Sequence, residues 1–456
     1  MVAGANGQLR RSLGPYSAAM VIVANMVGTG IFTTSGFILA QVGSPGLLLL
    51  CWLAGGVIAL AGALSYAELG ARFPQAGGEY VFLRQSFGPL WGFLSGWISL
   101  VVGFSAPIAA AAVAGAGYLL RAWPQAAAWS LPLSPGGLAL SGETLLALAI
   151  LLGFTSLHAA SLRVGVRVQN LLTGFKLLVL VGLIAAGLGA WDGGDFLAQG
   201  LATPGSSAGR VATALVFVSF AYSGFNAAAY LGGEIKNPQR NLPLALLTGT
   251  SLVMALYLLI NLAYLAAVPL GQMAGVKEIG SLTAQALLGP AGGRVFSLLV
   301  ALCLLSSLGA MTLTGPRIYY AMALDRVFFQ ALGRVRPASG VPANAVWLQA
   351  GIAAIMVLSA SFEALLFYIG FTLSLFTALS VTGLLLLRRR LGPPDTFRVP
   401  LYPWVPLLFI LANAWIMIFS LAGDPWRALP GALTLAVGVA LYWIFQRRGQ
   451  REQRKG

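Results

Sequence analysis

The chain has 456 residues, 58% hydrophobic and 9% charged, with a net charge of +15 and a mean hydropathy of +0.85. A soluble protein carries charge on roughly a quarter of its residues, so lipid is the solvent for most of this surface and a water-soluble fold is excluded. The basic excess is then a matter of membrane orientation and not of nucleic-acid binding.

Residues 1–16 hold Arg10 and Arg11 and no signal-peptide core. A membrane span needs about 20 apolar residues. Twelve segments qualify, near 17–42, 45–70, 90–120, 141–160, 168–190, 210–233, 242–268, 293–324, 342–360, 362–387, 402–422 and 427–446. The expected fold is therefore an all-α integral membrane protein with 12 transmembrane helices. An even number puts both termini on one side. With the termini inside, the inner segments carry 21 Lys and Arg and the outer segments 5, leaving Lys176 within a span. That asymmetry predicts cytoplasmic termini, with residues 447–456 as a basic tail.

The first span contains "NMVGTGIFTT" (25–34), where two glycines, an asparagine and a threonine interrupt the apolar run. The sixth contains "SFAYSGFNAAAYLGGEIKNP", interrupted at Ser223, Gly224 and Asn226. Spans 1–5 (17–190) and 6–10 (210–390) form two blocks of equal count, and five being odd, the second block enters the membrane inverted. Spans 11 and 12 (400–446) lie outside the repeat. Each interruption sits in the first span of its block, and paired broken helices at matching positions of inverted halves point to a transporter binding site. Unwinding frees N–H and C=O groups that hydrocarbon cannot satisfy. A half-helix starting near Thr29 and Gly30 offers amides and a positive dipole end, suited to a carboxylate. Half-helices ending near Met26–Val27 and Phe220–Ser223 offer carbonyls, suited to an ammonium. A zwitterion matches both.

The motifs "GTGIF", "SYAELGARFPQAGGEYVFLRQSFGPLWGFLSGW", "FAYSGFN" with "GEIKNPQRNLPLAL", and "GPRIYYAMALDRVF" together resemble the amino acid–polyamine–organocation (APC) transporter superfamily, over about residues 15–445. "NLLTGFKLL" and "YLLINLAYLAAV" resemble the L-type amino acid transporters (the LAT family) and their bacterial relatives. The resemblance implies a LeuT-type fold of 5+5 inverted repeats with helices 1 and 6 broken. It implies that the amides of Thr29 and Gly30, with Gly28, hold a substrate carboxylate and that Val27 presents a carbonyl to the amine. Phe220, Ala221, Ser223 and Gly224 match the span-6 segment, with carbonyls for the amine and Phe220 as an aromatic gate. Phe225 and Asn226 are expected to shape the side-chain pocket. Tyr257 matches a tyrosine that binds substrate or couples it to gating.

Lys176 lies nine residues beyond Arg167, about 13 Å deeper at the helical rise. A cation at depth costs about 3 kcal/mol or more, so it must face protein unless it snorkels to the interface. Ser306, Ser307 and the span-1 carbonyls are its expected partners. In lysine-bearing relatives an ammonium takes the place of the sodium ion of sodium-coupled carriers, so the resemblance implies sodium independence.

Glu68, Glu234 and Asp325 lie beside Arg72, Lys236 and Arg326 and are expected to form inner-gate ion pairs with them. His158 reads as structural, Glu143 as a helix cap, and Cys51 and Cys303 as packed thiols. The loop between spans 3 and 4 has no cysteine, so a disulfide-linked heavy chain, found on metazoan L-type light chains, is not expected. No cofactor or metal is expected either. The leading expectation is a sodium-independent exchanger of neutral, small L-amino acids working by alternating access. A proton-coupled symporter of the same fold and a cationic amino acid or polyamine carrier are the alternatives. An intramembrane enzyme lacks its nucleophile or metal set, and a channel lacks its polar ring.

Overall fold

The computed structural model describes residues 9–122, 125, 129–132, 139–191, 193, 208–359, 362–423 and 429–453. Helix dominates because a chain in lipid must satisfy its own backbone. Helix α1 (Pro15–Met26) opens on a proline at its first turn, where the missing N–H costs nothing. It stops after twelve residues, and α2 (Thr29–Val42) continues at 43° to it. Then come α3 (Pro45–Arg72), a short α4 (Glu79–Phe87), α5 (Pro89–Ile98), a π-helical segment Ser99–Ser105, and α6 (Ala106–Ala122). Strands β1 (Ser130–Pro132) and β2 (Ala139–Ser141) pair antiparallel before α7 (Gly142–Ala160) and α8 (Leu162–Gly189).

The second half begins with α9 (Ala208–Ala221) and a 3₁₀ turn at Ala227–Tyr230, followed by α10 (Pro238–Ala267), α11 (Leu270–Met273), α12 (Ile279–Thr314) and α13 (Pro316–Leu324). Helix α12 is kinked at Gly289–Pro290. After a 3₁₀ turn at Gln330–Gly333 come α14 (Ala343–Ser359), α15 (Phe362–Leu391), α16 (Trp404–Gly423) and α17 (Leu429–Gln453). Among the described residues, seven stretches are long and apolar enough to cross a membrane, or eight with the bent α1–α2 pair. Helices lie at the expected segments with most ends agreeing to within about four residues, α8 starting earlier at Leu162 and α17 running on to Gln453, and with three further differences. The third span carries a π-helical stretch, the eighth starts earlier through the kinked arm of α12, and the sixth ends as a helix at Ala221 instead of running to 233.

Packing is organised in facing pairs. Helix α3 lies along α10, α6 along α12, α7 against α14, and α2 against α9. Small residues allow the close approaches. A Cβ built on Gly55 would meet Val218 at 2.2 Å, and one on Gly62 would meet Phe409 at 2.5 Å. The core is apolar and continuous through these pairs, with a polar thread of Lys176, Ser307, Tyr257, Glu79 and Asn226 inside it.

Two expectations about single residues are corrected. Glu143 is not the cap of α7. Ser141 is, its hydroxyl accepting from the amide of Thr144 at 3.2 Å, and Glu143 falls in the first turn. Glu68, Glu234 and Asp325 do not pair with their chain neighbours. Glu68 binds Arg388, Glu234 binds Arg317, and Asp325 binds Arg84. Each pair joins two segments far apart in the chain, Glu68 on α3 to α15, and the turns holding Glu234 and Asp325 to α13 and α4. A neighbouring base at the end of a helix points along another direction, whereas these partners arrive from packed elements. Cys51 and Cys303 are free and buried, as expected. The loop expected to lack a heavy-chain cysteine falls mostly outside the described residues.

Candidate functional site

The first break lies between α1 and α2. Val27 still donates its amide to Val23 at 2.9 Å, and Gly28 turns back to donate to Met26 at 2.9 Å. The amides of Thr29, Gly30 and Ile31 have no protein acceptor among the described residues. They form the open first turn of α2, at its positive dipole end.

The second break follows α9. The Ser223 amide and hydroxyl both donate to the Phe220 carbonyl, at 3.1 and 2.7 Å. Gly224 takes φ of 94°, a left-handed conformation that glycine adopts without strain. The two breaks touch. A Cβ on Gly30 would stand 2.8 Å from both the Cα and Cβ of Ala221, and one on Gly224 would stand 2.9 Å from Cβ of Asn25. Gly28 is different, since its Cβ would meet only Ser307 at 3.7 Å.

Tyr257 on α10 stitches the breaks together. Its hydroxyl lies 2.7 Å from the Met26 carbonyl and 3.0 Å from that of Ala221. A phenol has one proton to donate, so the two carbonyls compete for it. The ring is held by Trp52 and Tyr222, with centroids 5.2 and 5.0 Å away. Tyr257→Phe is expected to leave folding intact and to slow amino acid uptake about tenfold, the effect of one orphaned buried carbonyl. Initial-rate uptake with detergent melting on the same preparation checks both halves.

Lys176 on α8 is fully buried and does not reach the interface. Its ammonium donates to the carbonyls of Ala24 (3.1 Å) and Val27 (2.5 Å) and to the Ser307 hydroxyl (2.9 Å). Ser307 in turn donates to Val27 at 3.0 Å. Ser306 is not a partner of the lysine. It takes Gln169 at 3.2 Å and stands 3.2 Å from the Thr173 hydroxyl. The reason is rotational, because successive residues on a helix point about 100° apart.

Three further expectations meet a different geometry. The Val27 carbonyl already accepts two donors, which fills both lone pairs, so it is not open to an amine in this conformation. Phe225 packs on Tyr66 and Phe409, at centroid distances of 5.5 and 5.7 Å. Asn226 donates to Glu79 at 2.7 Å and to Tyr230 at 3.1 Å. Both side chains are therefore engaged away from the junction. Phe220 is half-buried beside the break. His158 is buried without a hydrogen-bond partner among the described residues and lies against Phe154.

Some residues were not singled out in the sequence. Gln169 and Thr173 fall on the same helix face as Lys176, seven and three residues before it, a signal readable in α8. Glu79, the acid of "AGGEY", is buried with Tyr66 donating to it at 2.6 Å. Arg317 is buried with Glu234. Nothing local in the sequence distinguishes Arg317 from the other arginines near helix ends.

Apolar helices of spanning length, one of them broken where it meets a second break at buried, unpaired amides, define a multi-pass membrane protein of the solute-carrier kind. A family model described as amino acid permease matches residues 13–441, and the chain belongs to that family, within the APC superfamily. The serine/threonine exchanger SteT of Bacillus subtilis is 29% identical over 444 residues, covering 96% of this chain and 98% of that protein. The large neutral amino acids transporter small subunit 2 of Mus musculus is 30% identical over 450 residues, covering 97% and 82%. The b(0,+)-type amino acid transporter 1 of Mus musculus is 29% identical over 447 residues, covering 96% and 88%. These relatives are amino acid transporters and exchangers, which supports amino acid transport by this chain.

Proposed function

We propose that this protein is a sodium-independent exchanger of neutral, small L-amino acids, working by alternating access in the plasma membrane with both termini cytoplasmic. The observation that carries the reading is the unpaired first turn of α2 set against the broken end of α9. The substrate carboxylate takes the amides of Thr29 and Gly30. Its ammonium takes the carbonyls of Phe220 and Ala221, displacing the Ser223 and Tyr257 hydroxyls that donate to them. The second break thus exchanges internal hydrogen bonds for ligand ones, while the first turn of α2 gains acceptors it otherwise lacks.

A neutral side chain is favoured because α1, α2, α9 and residues 222–230 contain no Asp or Glu. The naming of one relative as a serine/threonine exchanger supports a small one. The pairing of α2 with α9, α3 with α10, α6 with α12 and α7 with α14 matches the order of two five-span blocks, which supports an inverted repeat within a twelve-span chain. The inner excess of basic residues supports the orientation. No cysteine is available in the loop between α6 and α7 for a disulfide-linked heavy chain.

Proteoliposome uptake of labelled serine, threonine, alanine and leucine, with and without internal amino acid, tests the reading. Uptake is expected to need internal substrate and to survive replacement of sodium by choline. Lys176→Ala is expected to lower uptake about a hundredfold, since a charged hydrogen-bond hub joining the end of α1 to α12 is lost. A strict sodium requirement in the unaltered protein, or full activity in Lys176→Ala, sinks the role given to the lysine.

A further inference from the structure

The connection from α3 to α4 and the inner end of the sixth span are locked together. Gly77 donates its amide to the Tyr230 carbonyl at 3.1 Å, and Ala76 bridges Leu231. Gly78 takes φ of 51°, and a Cβ there would stand 2.5 Å from the Tyr230 ring. At the centre of this seam is the Glu79 carboxylate, 2% exposed. Oε1 accepts from the Tyr66 hydroxyl of α3 at 2.6 Å and from the Asn226 amide at 2.7 Å, and Asn226 also donates to the Tyr230 hydroxyl at 3.1 Å. No Lys or Arg is paired with Glu79 among the described residues. A buried acid held only by neutral donors is a costly arrangement. It is spent here on one segment, since Asn226 stands two residues after Gly224 and five after Ala221.

We propose that Glu79 is a positioning residue for substrate binding: its ionised carboxylate, through Asn226, fixes the turn 222–226 and so aims the carbonyls of the second break at the junction with α2. The inference rests on the reading of that junction as the substrate site. An ionised carboxylate accepts from Tyr66 and Asn226 at Oε1 with the strength of a charged acceptor. Protonated at Oε2, it offers them only a neutral carbonyl oxygen and turns a donor towards Tyr66 and Tyr230, so its hold on Asn226 weakens. The titratable groups facing Glu79 are Tyr66 on α3 and Tyr230 on the 3₁₀ turn, with Ser380 of α15 beside Tyr66 and Tyr319 of α13 beside Tyr230. On α4 itself, Tyr80 and Arg84 both bind Asp325 of the α13 end. The carboxyl is the group of this cluster that changes near neutrality. Burial pushes it up to about 7, against the pull of Tyr66, Asn226 and Tyr230.

The sign follows directly. Above that value the seam is complete, and as pH falls through it the turn loosens and affinity drops. Exchange uptake into proteoliposomes, measured from pH 5.5 to 8.5 for the unaltered protein and Glu79→Gln, tests this. At pH 8, Glu79→Gln is expected to raise KM about tenfold, the effect of one charged hydrogen bond, with maximal rate within about twofold. Its KM is expected to stay flat with pH where that of the unaltered protein rises on acidification. Adding Asn226→Ala to Glu79→Gln is expected to cause little more loss, because the two act in series. Tyr230→Phe, which keeps the acid and removes one hydroxyl, guards against misfolding of the other variants and is expected to raise KM severalfold at pH 8. An unchanged KM and pH profile in Glu79→Gln, or independent additive losses with Asn226→Ala, overturns the proposal. Absence of amino acid exchange in the unaltered protein would instead count against the substrate site on which it rests.

Discussion

Replacing Arg317 with alanine is expected to destabilise the protein by about 3–5 kcal/mol, because it strands a carboxylate in the interior. Arg317 and Glu234 are 1% and 0% exposed. The guanidinium donates through Nη2 to both carboxylate oxygens, at 2.9 and 3.2 Å, and through Nη1 to the Leu313 carbonyl at 2.6 Å. The pair also anchors the N-terminal arm. The backbone carbonyl of Glu234 accepts the amides of Ser12 and Leu13, and Leu13 runs alongside Ile235 as a short parallel bridge. Losing Arg317 therefore loosens α13, the loop after the sixth span and the entry to α1 together.

The pH dependence of that loss has a defined sign. Burial raises the Glu234 carboxyl above its ordinary 4.5, and Arg317 pulls it back. Without the arginine the folded value rises further. A carboxyl raised in the folded state favours folding in acid, and that contribution is lost as pH rises through the folded value. Arg317→Ala should therefore be least damaged in acid and worsen towards neutrality. Replacing both partners, as Arg317→Met with Glu234→Leu, removes the orphaned charge and is expected to restore most of the loss. Melting midpoints in detergent across pH 4.5–8, for Arg317→Ala and the double variant, measure this. A double variant as unstable as Arg317→Ala would mean that the pair, and not the stranded acid, carries the stability.

The spans were legible because lipid leaves a chain little choice. Where twenty apolar residues run together, as in α3 or α10, helix is the outcome. The breaks were legible for the converse reason, since Asn25, Gly28, Gly30, Ser223 and Gly224 stand where an undisturbed span has no use for them. What lies beyond the second break was not. "NAAAYLGG" reads as helix, and it becomes turns and a 3₁₀ segment because Asn226 and Tyr230 are claimed by Glu79 and Gly77 from a distant part of the chain. The ion pairs were hidden in the same way. Proximity in sequence suggested Glu68 with Arg72, whereas Arg388 arrives from 320 residues away. The preference of Lys176 for Ser307 over Ser306 depends on the rotation of α12, which an all-round apolar helix does not announce. The filling of the Val27 carbonyl concerns a backbone group and leaves no trace in residue type.

Gly30→Val is expected to abolish transport while leaving a folded, membrane-inserted protein. At this glycine the constraint is space and not dihedral freedom. Its added Cβ would sit 2.8 Å from the Ala221 backbone, which has no flexible end to swing away. The two breaks must then part, at a cost of about 1–3 kcal/mol for a single extra carbon and more for a branched one. Gly30→Ala is accordingly expected to lose about ten- to a hundredfold in transport rate. Ala221→Gly in that background should recover only part of it, because it removes the clash with Cβ and leaves the clash with Cα. Gly28→Ala is the informative control. It stands two residues away in the same break, yet its Cβ meets only a serine hydroxyl at ordinary contact distance, so a melting midpoint close to normal and a smaller transport loss than that of Gly30→Ala are expected. If Gly28→Ala were dead and Gly30→Ala active, function would depend on the flexibility of the linker and not on the contact between the breaks. The junction of α2 with the end of α9 would then no longer account for how the carrier holds its substrate.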